Sequence, residues 1–329
     1  MHRAAVIGCG RIGSEVVDDE RLVGVYSHAG AYTACPDTEL VAVCDADPAK
    51  LTACAARWGA AAYTDARALL SERQPEIVSI CTPEATHFEL IRLALEAPGV
   101  RAVLAEKPLA LTGEHAAALV ALAAARGVTL AVNHIRRYSP SHQTLRDRIA
   151  SGGIGRLQSI GGVYTKGTLH NGSHWFDLAR FMAGEVTEVW GIDARREGGP
   201  DPTLDAVLLL ESGAAAHLQA CDAGAFSLFE IDLIGTRGRI RILESGHRVE
   251  IHHVVDSPYY RGYRTLAVEF DQASAMTDLT LHAVEDLVRC VSTGCRPRCS
   301  GEDGLAALQI ALAVGESARV GHAITLAGG

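Results

Sequence analysis

The chain predicts an α/β protein in two parts: an N-terminal doubly wound parallel sheet, and a C-terminal α+β domain built on a large, mainly antiparallel open sheet. Three observations carry that prediction. A short apolar strand runs straight into a glycine-spaced turn at the start of the sequence. Apolar runs of strand length then alternate with amphipathic helical stretches as far as Val132. From Asn133 the texture changes to closely spaced β-rich segments, so the expected domains are residues 1–132 and 133–329.

The elements follow in order. Met1 to Ile7 reads as a strand leading into Gly8-Cys9-Gly10-Arg11-Ile12-Gly13, after which a helix can start. In a Gly-x-Gly-x-x-Gly turn the first glycine permits the tight bend, the second lets backbone approach a pyrophosphate, and the third lets helix pack on strand. The helix N-terminus adds N–H groups and a partial positive charge. Gly8, Gly10, Arg11, Ile12 and Gly13 are therefore candidate cofactor-binding residues.

A second strand, Glu39 to Cys44, ends at Asp45, whose carboxylate can accept both hydroxyls of an adenosine ribose and would repel a 2′-phosphate. That points to NAD rather than NADP, with Asp47 as the neighbouring alternative. Asp45 could instead cap the helix that opens at Asp45-Ala46-Asp47-Pro48. The gap from glycines to acid exceeds the usual ~20 residues, and Ser27 to Tyr32 reads as an inserted loop near the cofactor.

Alternation continues with a helix over 48–58, strand 60–63, helix 65–71, strand 77–81, helix 84–95, strand 100–105, helix 112–126 and strand 128–132. The run Ile77 to Cys81, bounded by Thr82-Pro83, has the unbroken apolar character of a buried parallel strand. In the second part, a helix over 141–149 leads through Gly152-Gly153-Ile154-Gly155 to a strand ending at Tyr164. A helix over 173–182 precedes β runs at 186–195, 204–210, 214–220, 229–234 and 239–243, and helices over 281–291 and 301–318 close the chain.

Composition sets the class. Apolar residues make up 48% and charged residues 21%, ordinary values for a water-soluble globular chain. A net charge of −9 argues against a nucleic acid or an anionic membrane as partner. Neither a membrane-spanning apolar run nor a signal-peptide pattern is read in the sequence, and a cytoplasmic location is expected. Of the nine cysteines, Cys9, Cys44 and Cys81 fall in or at the ends of strands, where a thiol behaves as a small hydrophobe. Cys290, Cys295 and Cys299 cluster without a Cys-x-x-Cys pair, so reduced thiols and no metal site are expected.

Chemistry is concentrated after the fifth strand, in Ala105-Glu106-Lys107-Pro108-Leu109. Ligands of open parallel sheets lie beyond the carboxyl ends of the strands, so Lys107 points to where nicotinamide and substrate should meet. Its ammonium can polarise a reacting oxygen. The bland alternative is a surface lysine paired with Glu106. Pro108 constrains the local backbone and admits a cis peptide.

Gly8-x-Gly10-x-x-Gly13, Cys81-Thr82-Pro83-Glu84-Ala85-Thr86-His87, Glu106-Lys107-Pro108, Arg136-Arg137-Tyr138-Ser139-Pro140 and Gly172-Ser173-His174-Trp175-Phe176-Asp177-Leu178 occur in order. Together they resemble the Gfo/Idh/MocA oxidoreductase family over essentially the whole chain. The resemblance implies an N-terminal Rossmann domain and NAD(P)-dependent hydride exchange with a carbinol or carbonyl carbon of a sugar, polyol or sugar derivative. It implies that Thr82, Pro83 and His87 pass beneath the nicotinamide ribose, and that Glu106 and Lys107 contact cofactor and substrate. His174 matches the proposed general acid/base, and a secondary alcohol does need a base of near-neutral pKa. It further implies a homodimer or homotetramer. NAD-dependent glycosidases with transient oxidation, and non-catalytic dinucleotide-binding regulators, share the cofactor motifs and stand as alternatives.

The chain departs from the family pattern at His170, where many relatives carry an aspartate four residues before the histidine. His170 could relay a proton with His174 or contact a substrate anion. A metal shared by the two rings is disfavoured because Gly172 suggests that His170 lies before the helix. Arg136, Tyr138, Tyr164, Lys166, His170, Asn171 and His174 are the expected substrate-binding and specificity residues, although the strand context of Tyr164 also suits packing.

Overall fold

β1 (His2–Ile7), β2 (Thr38–Cys44), β3 (Ala61–Tyr63), β4 (Ile77–Ile80), β5 (Ala102–Ala105) and β6 (Thr129–Val132) pair in parallel in the order β3-β2-β1-β4-β5-β6. Their sequences are short apolar runs without alternation, and β4 and β5 are buried along their whole length, as a sheet covered on both faces requires. The order reverses between β1 and β4, which places a ligand crevice at the carboxyl ends of those strands. The computed structural model describes residues 1–196, 198–274 and 276–326.

Helices α1 (His28–Ala34), α2 (Pro48–Trp58), α3 (Ala66–Arg73), α4 (His87–Glu96) and α5 (Gly113–Arg126) connect these strands. Their starts follow local chemistry: the Asp47, Asp65 and Thr112 side chains accept first-turn N–H groups of α2, α3 and α5.

The first crossover differs from the expected one. Ser27 to Tyr32 is not a loop; Ser27 caps α1 by accepting the Gly30 N–H, and His28 to Tyr32 are buried. The excursion lies before it. The turn after the glycines bends into a 3-10 helix at Glu15–Asp18, and then the His28 and Ala29 N–H groups donate to the Ile12 and Gly13 carbonyls at 3.0 Å each. Those carbonyls would normally be served by residues four further on. α1 therefore resumes the helix opened by the glycine turn, and the looped-out residues account for the long gap to Asp45.

The second sheet comprises β7 (Leu157–Tyr164), β8 (Val186–Ile192), β9 (Asp205–Leu210), β10 (Ala215–Ala220), β11 (Phe229–Gly235), β12 (Gly238–Leu243), β13 (Arg248–Asp256), β14 (Arg264–Ala273) and β15 (Ile324–Thr325). Its order is β14-β13-β12-β11-β7-β10-β9-β8-β15, antiparallel except for the β7–β10 pair. Alternate residues enter a core shared with α6 (Pro140–Ala150), α7 (Ser173–Ala183) and the far half of α9 (Gly301–Val320). The β13–β14 hairpin and β15 were not expected from the sequence. β14 contains no buried residue, so it lacks the in–out alternation by which a strand is recognised.

The chain does not change units once at 132/133. One compact unit is Met1–Tyr138 with Thr277–Leu305, and the other is Ser139–Met276 with the chain from Ala306 onward. The return is physical: α8 (Leu279–Thr293) is fastened to the first unit by Thr280 Oγ1 donating to Tyr26 O at 2.8 Å and by Arg101 donating to Val291 O at 2.7 Å. Cys299 O then accepts the Val132 N–H at 3.0 Å.

Candidate functional site

At the carboxyl end of β1, Gly8 has φ +103°, and a Cβ added there would lie 2.5 Å from the Cys81 carbonyl carbon. A Cβ on Gly13 would fall 1.9 Å from Gly8 O. These two positions are closed to side chains by the turn itself. Around Gly10 nothing lies within 4 Å of an added Cβ, so the outer face of the turn is open to an approaching phosphate. Arg11 is exposed and Ile12 half-buried.

Asp45 stands at the end of β2. Its Oδ2 accepts the Cys9 N–H at 2.7 Å and its Oδ1 the Asp47 N–H at 2.8 Å, joining the acid to the glycine turn. The cap of α2 is Asp47, which accepts from Ala49 and Lys50.

Beyond β4 and β5, two loops are fastened together by His87. Its buried ring has Nε2 at 2.8 Å from Thr82 O and Nδ1 at 2.6 Å from Pro108 O. Both nitrogens are thus engaged by backbone, and what His87 supplies is the position of the exposed Pro83 and half-buried Thr82 relative to Lys107-Pro108. The Lys107–Pro108 peptide is cis.

Glu106, 13% exposed at its side chain, is held from below. Its Oε1 accepts from Asn133 Nδ2 at 2.7 Å and lies 3.0 Å from His28 Nε2. His28 Nδ1 is 2.8 Å from Ser79 Oγ, which is 2.8 Å from the Tyr32 hydroxyl. An ionised carboxylate only accepts, so His28 Nε2 donates to Glu106. Burial alone would raise the Glu106 carboxyl, but hydrogen bonds from His28 and Asn133 and the Lys107 charge hold it below its ordinary range. His28, Tyr32, Ser79 and Asn133 were missed in the sequence. The available signal was His28 and Tyr32 four residues apart, a helical spacing within a stretch read as loop.

In the second unit, His170 precedes α7 but is itself helical. Gly167–Gly172 form a π-helical turn that runs without interruption into α7. Gly172 has helical φ −59°, and a Cβ there would lie 3.0 Å from the Tyr164 ring, so this glycine serves close packing and does not break the helix. Asp201 accepts the Leu169 N–H at 2.8 Å and the His170 N–H at 2.9 Å, closing the start of the turn. Turns of this kind recur at functional sites. His170 is exposed and His174 half-buried.

Two expected substrate residues are corrected. Tyr164 is fully buried; its hydroxyl donates to Leu204 O at 2.8 Å and accepts the Leu204 N–H at 3.0 Å, while burial pushes its pKa up to about 12. Tyr138 is also fully buried, with its hydroxyl 3.4 Å from Val132 O. Both side chains lie in the packed interior. Arg136 and Asn171 are half-buried, and Asn171 Nδ2 donates to Thr165 O at 2.9 Å. Lys166 is exposed, at φ +70°. Arg137 pairs with Asp303 at 3.1 Å.

Known proteins share both parts of this fold. Residues 2–134 match the model of an oxidoreductase family with an NAD-binding Rossmann fold, and residues 165–241 match the GFO/IDH/MocA C-terminal domain. D-apiose dehydrogenase of Paraburkholderia graminis is 30% identical over 98% of this chain and 89% of its own length. Inositol 2-dehydrogenase of Rhizobium meliloti is 26% identical over 99% of both chains. The crystal structure of a putative myo-inositol dehydrogenase from Sinorhizobium meliloti superposes with a TM-score of 0.80 at 26% identity, covering 99% of this chain and 100% of that one. With a relative at this identity along nearly its full length and both family domains matched in order, the chain belongs to the Gfo/Idh/MocA family of NAD-binding oxidoreductases.

Proposed function

We propose that this protein is an NAD-dependent dehydrogenase that oxidises a CH–OH group of a sugar, polyol or sugar derivative. The observation that carries the reading is Lys107, set beyond β5 on a loop whose preceding carboxylate is locked by His28 and Asn133. The sugar and polyol dehydrogenases among the relatives support the substrate class.

The residues fit a dinucleotide. The open face at Gly10 and the surrounding Gly8–Gly13 turn would hold the pyrophosphate, and Asp45 would accept the adenosine ribose hydroxyls and repel a 2′-phosphate, selecting NAD. Thr82, Pro83, Glu106 and Lys107 would take the nicotinamide end. When bound, the nicotinamide supplies the hydride acceptor. Lys107 stabilises the negative charge that grows on the substrate oxygen as its proton leaves. His174 accepts that proton, and His170, exposed on the adjoining π turn, passes it toward solvent.

The test is nicotinamide absorbance during incubation with NAD or NADP and a panel of polyols, free sugars and sugar derivatives. Net reduction of NAD by one alcohol class, with NADP a poorer substrate, is the expected result. Dinucleotide binding without net reduction on any member would overturn the dehydrogenase reading in favour of transient oxidation or a regulatory role.

A further inference from the structure

The C-terminus of α8 carries a pair of thiols that the reaction above does not use. Gly294 follows the helix with φ +73°, its N–H bonded to Cys290 O at 2.8 Å. A left-handed residue at this point turns the chain back over the last helical turn. Cys295 is thereby laid against Cys290, with the sulfurs 3.4 Å apart. Cys290 is buried while Cys295 is partly exposed and lines a surface cleft with Leu130, Arg296 and Pro297.

The Arg289 guanidinium is in contact with both sulfurs. Its Nη1 donates to Cys295 Sγ, and its Nη2 lies 3.8 Å from Cys290 Sγ. Asp286, itself 1% exposed at its side chain, holds Arg289 in this place. A cation beside a partly exposed sulfur, with a second sulfur in van der Waals contact, is the environment in which a thiol is oxidised selectively and then resolved.

We propose that Cys290 and Cys295 form a reversible oxidation site, a peroxide-sensitive dithiol that closes to a disulfide. The Cys295 thiolate attacks one peroxide oxygen; the O–O bond breaks, a sulfenic acid forms, and the departing hydroxide takes a proton to become water. Cys290 sulfur then attacks the Cys295 sulfur, the S–O bond breaks, and the hydroxyl leaves as water with the Cys290 proton. Two thiols are oxidised and one peroxide is reduced to two waters. A dithiol reductant reverses the change by exchange.

The division of labour follows from the surroundings. Hydrogen bonding from Thr293 and from Cys290, together with the Arg289 charge, holds the Cys295 thiol below its ordinary value against burial and Asp286. Burial, then the contact with Cys295, pushes the Cys290 thiol up to about 12. The exposed sulfur is the attacking one and the buried sulfur resolves it.

The experiment exposes the full-length protein to hydrogen peroxide at neutral pH, alkylates the remaining thiols and maps the peptides by mass spectrometry. The expected product is a Cys290–Cys295 disulfide that forms before Cys221, the other partly exposed cysteine, is oxidised, and that dithiothreitol removes. In Cys290→Ser the intermediate should persist as a sulfenic acid on Cys295, trapped by dimedone. Arg289→Met should slow disulfide formation by roughly three- to tenfold, as the thiolate fraction falls. Full alkylation of Cys290 and Cys295 after Cys221 has been oxidised overturns the proposal, and so does the absence of a dimedone adduct in Cys290→Ser. The wild-type map needs no variant to fold.

Discussion

The two sheets bury their strands in different ways, and the difference decides where each can carry chemistry. β4 and β5 of the parallel sheet are buried at every position, so that sheet meets ligands only at its strand ends, where Gly8, Asp45, Thr82 and Lys107 sit in the following turns. In the second sheet β11 and β12 are buried at alternate positions. Their other face carries ionic partners, among them Arg239 with Asp232, and Arg241 with Glu250 at 2.8 Å. All four of these side chains are partly buried. The candidate proton-transfer residues of this unit lie instead on one helix, α7, and on the π turn that opens it. The first unit thus draws its candidate residues from many turns that one sheet aligns, whereas those of the second unit come from a single continuous segment.

That contrast can be broken by substitution. The largest effect is expected at the groups to which the proposed reaction gives charge stabilisation and proton transfer: Lys107→Met and His174→Ala should each lower kcat/KM by about 10²- to 10³-fold, with NAD binding, read by calorimetry, retained in His174→Ala. Unchanged turnover in either variant removes that residue from the mechanism. A smaller effect falls on the cofactor alone. Asp45→Ser should raise the Kd for NAD by roughly 10- to 100-fold, the loss expected for charge-assisted hydrogen bonds, and narrow the preference over NADP without altering the pH profile of kcat. An unaltered NAD/NADP ratio would return Asp45 to a purely structural part.

The smallest effect sharpens the role of the buried row behind Glu106. His28→Phe should cost about 1–3 kcal/mol at neutral pH, because it leaves the carboxylate short of a donor. The sign with pH follows from the depressed carboxyl: its stabilisation is present above the unfolded value near about 4.3 and is lost as pH falls through the lower folded value. The gap between wild type and His28→Phe in denaturant titrations should therefore narrow below about pH 4. A gap independent of pH would mean that His28 acts by packing alone.

Local chemistry made most of the first unit legible. Pro48–Trp58 reads as a helix because proline follows a capping aspartate, and Ile77 to Ile80 reads as a strand because no polar residue but Ser79 interrupts it. The first crossover was harder, since its helix is completed by hydrogen bonds between residues on either side of a long excursion. The hairpin of β13 and β14 left no trace in burial periodicity. Tyr138 and Tyr164 stood in motifs that suggested ligand contact, yet both are fully buried.

What the sequence determined by itself is whatever depends on neighbours along the chain: strand and helix identity, the glycine turn, the acid at the end of β2, and the order of the family motifs. These follow from dihedral preference, capping and side-chain periodicity, all of which act over a few residues. Tertiary structure alone decided that His28 supports Glu106 from 78 residues away, that α8 rejoins the first unit, and that Gly172 continues a helix. Each of these depends on burial and on which distant donor meets which acceptor. A buried polar group must find a partner wherever the fold brings one, and sequence spacing carries no record of that meeting.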